Sequence, residues 1–199
     1  MNIRNCLDAL KNSRETILCI EADGHTCAQS YATLYEDALL LLGAFQRAGA
    51  IKGTHLLLLS KGVRATITAL WACWLGGIAP VSGLRGEARR QEFFKKRHAN
   101  CLLFSDTEEF LNHPRRVGFP AELCGFGEPV AMEDEDIALL QYTSGTADAP
   151  RCAMLTGANL YESGKASSVV VREGIRERYL SCLPLTHIFG LAANHLVPT

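Results

Sequence analysis

The chain has 199 residues, 48% of them hydrophobic, and a formal net charge of −1. That apolar content excludes a disordered chain and is enough for one or two small globular units with real cores. A charge so near neutral argues against a dedicated nucleic-acid binder, because a phosphate backbone demands a large basic excess.

In chain order, Met1 to Arg14 is polar and charged and shows no signal peptide. Ile17-Leu18-Cys19-Ile20 reads as a strand entering a turn at Asp23-Gly24. Ser30 can cap a helix whose apolar positions are Leu34, Ala38, Leu41, Leu42, Phe45 and Ala48. They form one stripe on a 3.6-residue period, and Gly49 stops it. Leu56 to Leu59 is a continuous apolar run, as in a strand covered on both faces. A helix from Val63 to Leu75 and a strand near Ile78 to Val81 follow. As a membrane span, Ala65 to Val81 is short and broken by Gly76, Gly77 and Pro80, so a buried helix and strand fit better. Glu87 to His98 reads as a helix and Cys101 to Phe104 as a strand. Arg115 to Pro129, with two prolines and three glycines, is the loosest part. Strands alternating with helices predict an α/β fold, a layered parallel sheet with helical crossovers.

The eight cysteines (6, 19, 27, 73, 101, 124, 152 and 182) form no Cys-x-x-Cys pair. Cys73, Cys101 and Cys182 sit inside apolar stretches, so reduced thiols in a cytoplasmic protein are expected.

The most informative segment runs from Leu139 to Arg151: Leu-Leu-Gln-Tyr-Thr-Ser-Gly-Thr-Ala-Asp-Ala-Pro-Arg. An apolar run ends in hydroxyls around one glycine, and a proline and a cation follow. Hydroxyls, backbone N–H groups on a turn and a nearby positive charge are what holds a polyphosphate. The pattern is not a Walker A loop, which needs a second glycine followed by Lys and Ser/Thr. Downstream lies Leu183-Pro184-Leu185-Thr186-His187-Ile188-Phe189-Gly190.

These two ordered motifs resemble those of the AMP-forming, or adenylate-forming, synthetases: acyl-CoA synthetases, luciferases and peptide-synthetase adenylation domains. That family's phosphate loop reads Tyr-Thr-Ser-Gly-Ser/Thr-Thr-Gly-x-Pro-Lys-Gly. The run Leu56 to Ser60 and the segment Ala69 to Val81 look like the family's early strand–helix–strand unit, which extends the similarity over most of residues 25 to 199. The resemblance implies that residues 1–199 are the N-terminal portion of an AMP-binding domain, with the phosphate motif at 139–153 and the second motif at 183–190. It implies ATP-dependent activation of a small carboxylic acid as an acyl-adenylate, with Mg²⁺ assisting. The acyl group would then pass to coenzyme A or a carrier-protein pantetheine. On this pattern Thr143, Ser144 and Thr146 donate to the phosphates and Gly145 lets the backbone approach. Arg151 supplies the cation where the family has Lys, and His187 lines the acyl pocket near the carboxylate.

Departures accompany the matches. Ala147-Asp148 replaces the family's Thr-Gly, Cys152 replaces another loop glycine, and Gly157 stands where a His is common. Val197-Pro198-Thr199 follows the second motif closely, so the family's Tyr-Gly-x-Thr-Glu segment, ribose-binding Asp and catalytic Lys lie outside the chain. A missing C-terminal portion, or a partner chain supplying it, is therefore expected, and the isolated chain is expected to be inactive.

Each reading has a structural competitor. A hydroxyl cluster around glycine also forms turns that bond their own backbone. His187 also fits a capping or core-edge role. Arg85 to Arg97, with six basic and two acidic residues, reads as a solvated helix face, with a polyanion or coenzyme A contact as the alternative. Met132 to Asp136 reads as a solvated loop and not a metal site. For the whole chain the competitors are a truncated remnant that binds nucleotide weakly or serves as an interaction module, and an unrelated parallel α/β protein.

Overall fold

The computed structural model describes residues 2–21, 23–84, 92, 101–107, 112–118, 125–142, 151–172, 185 and 188–191. The chain opens with helix α1 (Ile3–Leu10), held by a reciprocal cap in which the Asn5 N–H donates to Asn2 Oδ1 and the Asn2 N–H donates to Asn5 Oδ1. Strands β1 (Thr16–Ile20) and β2 (Thr26–Ser30) form a separate antiparallel pair around the Asp23-Gly24 turn.

Ser30 caps helix α2 (Tyr31–Arg47) by accepting from the Thr33 N–H at 3.1 Å. The stripe Leu34, Ala38, Leu41, Leu42 and Phe45 is buried, and Gly49 ends the helix at φ 86°. Next come β3 (His55–Leu59), helix α3 (Val63–Leu75), β4 (Ala79–Ser82), β5 (Leu102–Ser105) and β6 (Arg116–Gly118). The rest comprises β7 (Ile137–Tyr142), β8 (Cys152–Thr156), α4 (Gly157–Arg172) and α5 (Ile188–Leu191). The main sheet runs β6-β5-β3-β4-β7-β8.

Its strands from β6 to β7 are mutually parallel, as the alternation of strand and helix predicts, whereas β8 joins β7 antiparallel. Alternate side chains of β3 serve the two faces. Leu56 and Leu58 join the large core with Phe45, Trp71, Trp74 and Phe104, while Leu57 packs with Val81, Leu103 and Cys101. Helix α3 is buried from Ala65 to Leu75, Thr66 and Thr68 included, as a mostly apolar helix must be. The polar groups of its buried Trp74, Thr66 and Thr68 are satisfied: Trp74 Nε1 donates to the Ala138 carbonyl at 2.9 Å, and the Thr66 and Thr68 hydroxyls donate to the Gly62 and Arg64 carbonyls.

Among the described residues no helix is long and apolar enough to cross a membrane. Cys6, Cys19, Cys27, Cys73, Cys101 and Cys152 are free thiols. The loose stretch after Arg115 yields β6, which adds to the sheet beside β5. The acidic segment is a turn in which Asp136 accepts from the Glu133 N–H and pairs with Lys52 at 2.6 Å. The helix expected over Glu87 to His98 lies, apart from Glu92, outside the described residues.

Candidate phosphate-binding edge

In a parallel sheet the carboxyl ends of the strands share one edge, and open α/β sheets bind ligands there. Here that edge has two parts. At the first, β3 and β5 end beside the start of α3. The Glu21 carboxylate accepts from the Val63 and Arg64 N–H groups at 2.8 and 3.0 Å. The Asp106 carboxylate accepts from Ser60 Oγ at 2.6 Å, the Gly62 N–H at 2.8 Å and the Lys61 N–H at 3.0 Å. Two carboxylates of the chain itself thus fill the positive end of α3, which is closed to an external anion.

The second part lies at β4 and β7, paired through Val81↔Leu140 and Ser82↔Gln141. Strand β7 ends at Tyr142, whose register partner is Cys152, the first residue of β8. Residues 143–151 are therefore tied at their base. Arg151, exposed, returns beside the residue that precedes Thr143. This is how the fold brings a cation to the root of the hydroxyl-rich segment although eight positions separate Arg151 from Thr143 in sequence. Thr143, Ser144, Gly145 and Thr146 themselves lie outside the described residues, as do Ala147 and Asp148.

The base of this loop is shaped by residues that sequence reasoning missed. Gly83 follows β4 at φ +85°, a conformation L side chains rarely adopt. A Cβ there would collide with the Tyr142 carbonyl oxygen and with Gln141 Nε2. Gln141, largely buried, donates from Nε2 to the Tyr142 carbonyl at 3.1 Å. Gly83 and Gln141 thus set the point from which the loop departs. The only sequence signal was a glycine just beyond a strand end.

The second motif is described in part. Leu185 packs against the main core, and α5 begins at Ile188 and buries Leu191. His187, between them, lies outside the described residues. The departure at Gly157 has a spatial reason, since a Cβ there would lie 3.2 Å from the Asn2 Cβ. Asn2 is buried and donates from Nδ2 to the Met132 carbonyl at 2.7 Å and to Asp134 Oδ1 at 3.0 Å, so the α1 cap occupies the space a larger residue would need.

Comparison with known proteins agrees with this architecture. The family model described as AMP-binding enzyme matches residues 8–199. A 2-succinylbenzoate–CoA ligase of Bacillus licheniformis is 27% identical over 175 residues, covering 82% of this chain and 36% of that protein. Its counterpart in Bacillus velezensis is 33% identical over 153 residues, covering 68% of this chain and 31% of that protein. Among solved structures, McyG A-PCP complexed with phenylalanyl-adenylate superposes with a TM-score of 0.80 at 27% identity, covering 99% of this chain and 35% of that one. The chain spans about a third of the length of the curated relatives it matches. With the motifs, the sheet and the family model in register, the chain belongs to the AMP-binding, adenylate-forming enzymes.

Proposed function

We propose that this chain is the phosphate-binding portion of an enzyme that activates a small carboxylic acid with ATP. The substrate carboxylate oxygen attacks the α-phosphorus, the bond to the β-phosphate bridging oxygen breaks, and acyl-adenylate and pyrophosphate form. The observation that carries this reading is the Tyr142↔Cys152 pairing, which returns Arg151 to the root of the Thr143–Thr146 segment. Hydroxyls of Thr143, Ser144 and Thr146 hold the leaving β- and γ-phosphates, and Gly145 admits them close to the backbone. Arg151 stabilises the charge that grows on pyrophosphate as it departs. His187 orients the substrate carboxylate. Mg²⁺, when bound with ATP, neutralises phosphate charge and so eases the attack. The activated acyl group then passes to a thiol, that of coenzyme A or of a carrier-protein pantetheine.

The activity belongs to a polypeptide that supplies the adenine, ribose and acyl-transfer contacts as well as this portion. Carboxylate-dependent ATP–pyrophosphate exchange tests the reading, run in parallel on the 199-residue chain and on an extended protein in which it is joined to the remaining part of an adenylate-forming relative. The extended protein is expected to exchange and the 199-residue chain is not. The Thr143→Ala, Ser144→Ala double variant is expected to abolish exchange. An extended protein that folds yet shows no exchange with any of a broad carboxylate panel would leave a non-catalytic remnant as the better reading.

A further inference from the structure

Strands β1 and β2 place Cys19 directly opposite Cys27. Residues opposite each other in an antiparallel pair project from the same face, so both thiols point to one side of this ribbon. The Glu21 N–H donates to the His25 carbonyl at one end of the ribbon, and the Tyr31 N–H donates to the Glu15 carbonyl at the other. Counting by twos between these bonds makes Cys19 and Cys27 a hydrogen-bonded pair. Such pairs hold their Cα atoms roughly 5.5 Å apart, inside the span of roughly 4.4–6.8 Å that a disulfide bridges. Cys19 is 3% exposed, whereas Cys27 is half-buried. The Arg64 guanidinium lies against Cys27, with Nη1 3.8 Å from its sulfur and Nη2 on Asp37 at 2.8 Å.

We propose that Cys19 and Cys27 are a reversible oxidative modification site, closing to a disulfide that staples the β1–β2 ribbon. The oxidant is a peroxide. The Cys27 sulfur, on the more exposed residue of the two, attacks the peroxide O–O bond, which breaks to give Cys27 sulfenic acid and one water. The Cys19 sulfur then attacks the Cys27 sulfur, the S–O bond breaks, and a second water leaves with the Cys19 proton. Two thiols are oxidised and one hydrogen peroxide is reduced to two waters. A dithiol reductant reverses the step by thiol–disulfide exchange. Burial pushes the Cys19 thiol up to about 11, with Glu21 adding to the rise, so Cys19 is a poor first target and the more exposed Cys27 reacts first. The staple bears on α3 directly, because Glu21, the residue that follows β1, accepts from the Val63 and Arg64 N–H groups.

The sequence makes the test simple, since no Lys or Arg lies between Arg14 and Arg47 and trypsin releases both cysteines in one peptide. A Cys152→Ser background removes the exposed thiol of β8. The folded 199-residue chain is treated with hydrogen peroxide, blocked with iodoacetamide and digested. The expected product is the Glu15–Arg47 peptide lighter by two hydrogens, about 2 Da, with neither cysteine alkylated and full return of both thiols after dithiothreitol. The Cys19→Ser variant should instead accumulate sulfenic acid at Cys27, captured by dimedone. Either of two results overturns the proposal: both cysteines alkylated after peroxide treatment, or Cys27 found linked to any cysteine other than Cys19. Peroxide treatment of the chain unfolded in guanidinium supplies the control, where scrambled pairing is expected.

Discussion

Asp148 is the residue at which this chain departs most sharply from its family. A carboxylate about 5 Å from one phosphate charge, at an effective dielectric of about 20, is repelled by roughly 3 kcal/mol. The hydroxyl missing at Ala147 removes a neutral hydrogen bond worth about 1 kcal/mol. The charge term therefore dominates. In the extended protein Asp148→Gly is expected to tighten ATP–Mg²⁺ binding by up to about a hundredfold, with the gain shrinking at high salt. Isothermal titration measures it, and weakened binding would instead mark Asp148 as a residue that helps organise the metal. Gly83 makes a second case at this scale. Alanine there meets both a left-handed φ and the Tyr142 carbonyl, so Gly83→Ala should destabilise the fold by about 1–3 kcal/mol. Denaturant melts of the 199-residue chain check this, and an unchanged midpoint would show that the β4–β7 junction yields easily. Arg151 and the hydroxyl cluster stand out in sequence because a local motif carries them, although residues 143–146 lie outside the described residues. Gly83 was not, because its role arises from the Ser82↔Gln141 register between strands far apart in the chain.

At the scale of elements, legibility followed the strength of the local pattern. The helix expected from about Val63 to Leu75 was legible because the apolar stretch Ala69 to Leu75 ends on Gly76-Gly77. Helix α1 was not, since only Ile3 and Leu7 of that helix are buried and polar residues surround them. Strand β2, Thr-Cys-Ala-Gln-Ser, contains few strong β-formers and is fixed by pairing with β1. Strand β6 has three residues, too few to show a period. The start of α3 gives a prediction here. Gly62 offers no side-chain cap, and Glu21 from the β1–β2 turn does the work through two N–H groups. Glu21→Ala should cost about 0.5–2 kcal/mol, the usual penalty for removing a cap. Amide exchange at Val63 and Arg64 should accelerate with it. Loss of stability with no change in exchange at those two amides would place the role of Glu21 in the turn and not in the helix.

For the whole molecule the α/β layering was readable from alternation alone, while the antiparallel attachment of β8 was not, because strand direction is set by pairing with β7 and not by composition. The assembled core then fixes how stability responds to acid. Burial holds the His55 imidazole below its ordinary pKa, and burial together with Arg115 does the same to His113. Lys52 holds the Asp136 carboxyl below the usual carboxylate range. A histidine with a lowered folded pKa binds its proton later than the unfolded chain does. As pH falls through about 6.5 the unfolded state gains protons first, and the fold loses stability. Asp136 acts in the same direction but lower, below about pH 4, where protonation removes its pairing with Lys52. Stability should therefore decline from about pH 7 to pH 5 with a slope that the His55→Gln, His113→Gln double variant flattens, while Asp136→Asn alters only the more acidic limb. Urea midpoints across this range measure both effects. A double variant with the parental slope between about pH 7 and pH 5 would show that these two imidazoles titrate alike in the folded and unfolded chain, and that the acid response lies elsewhere.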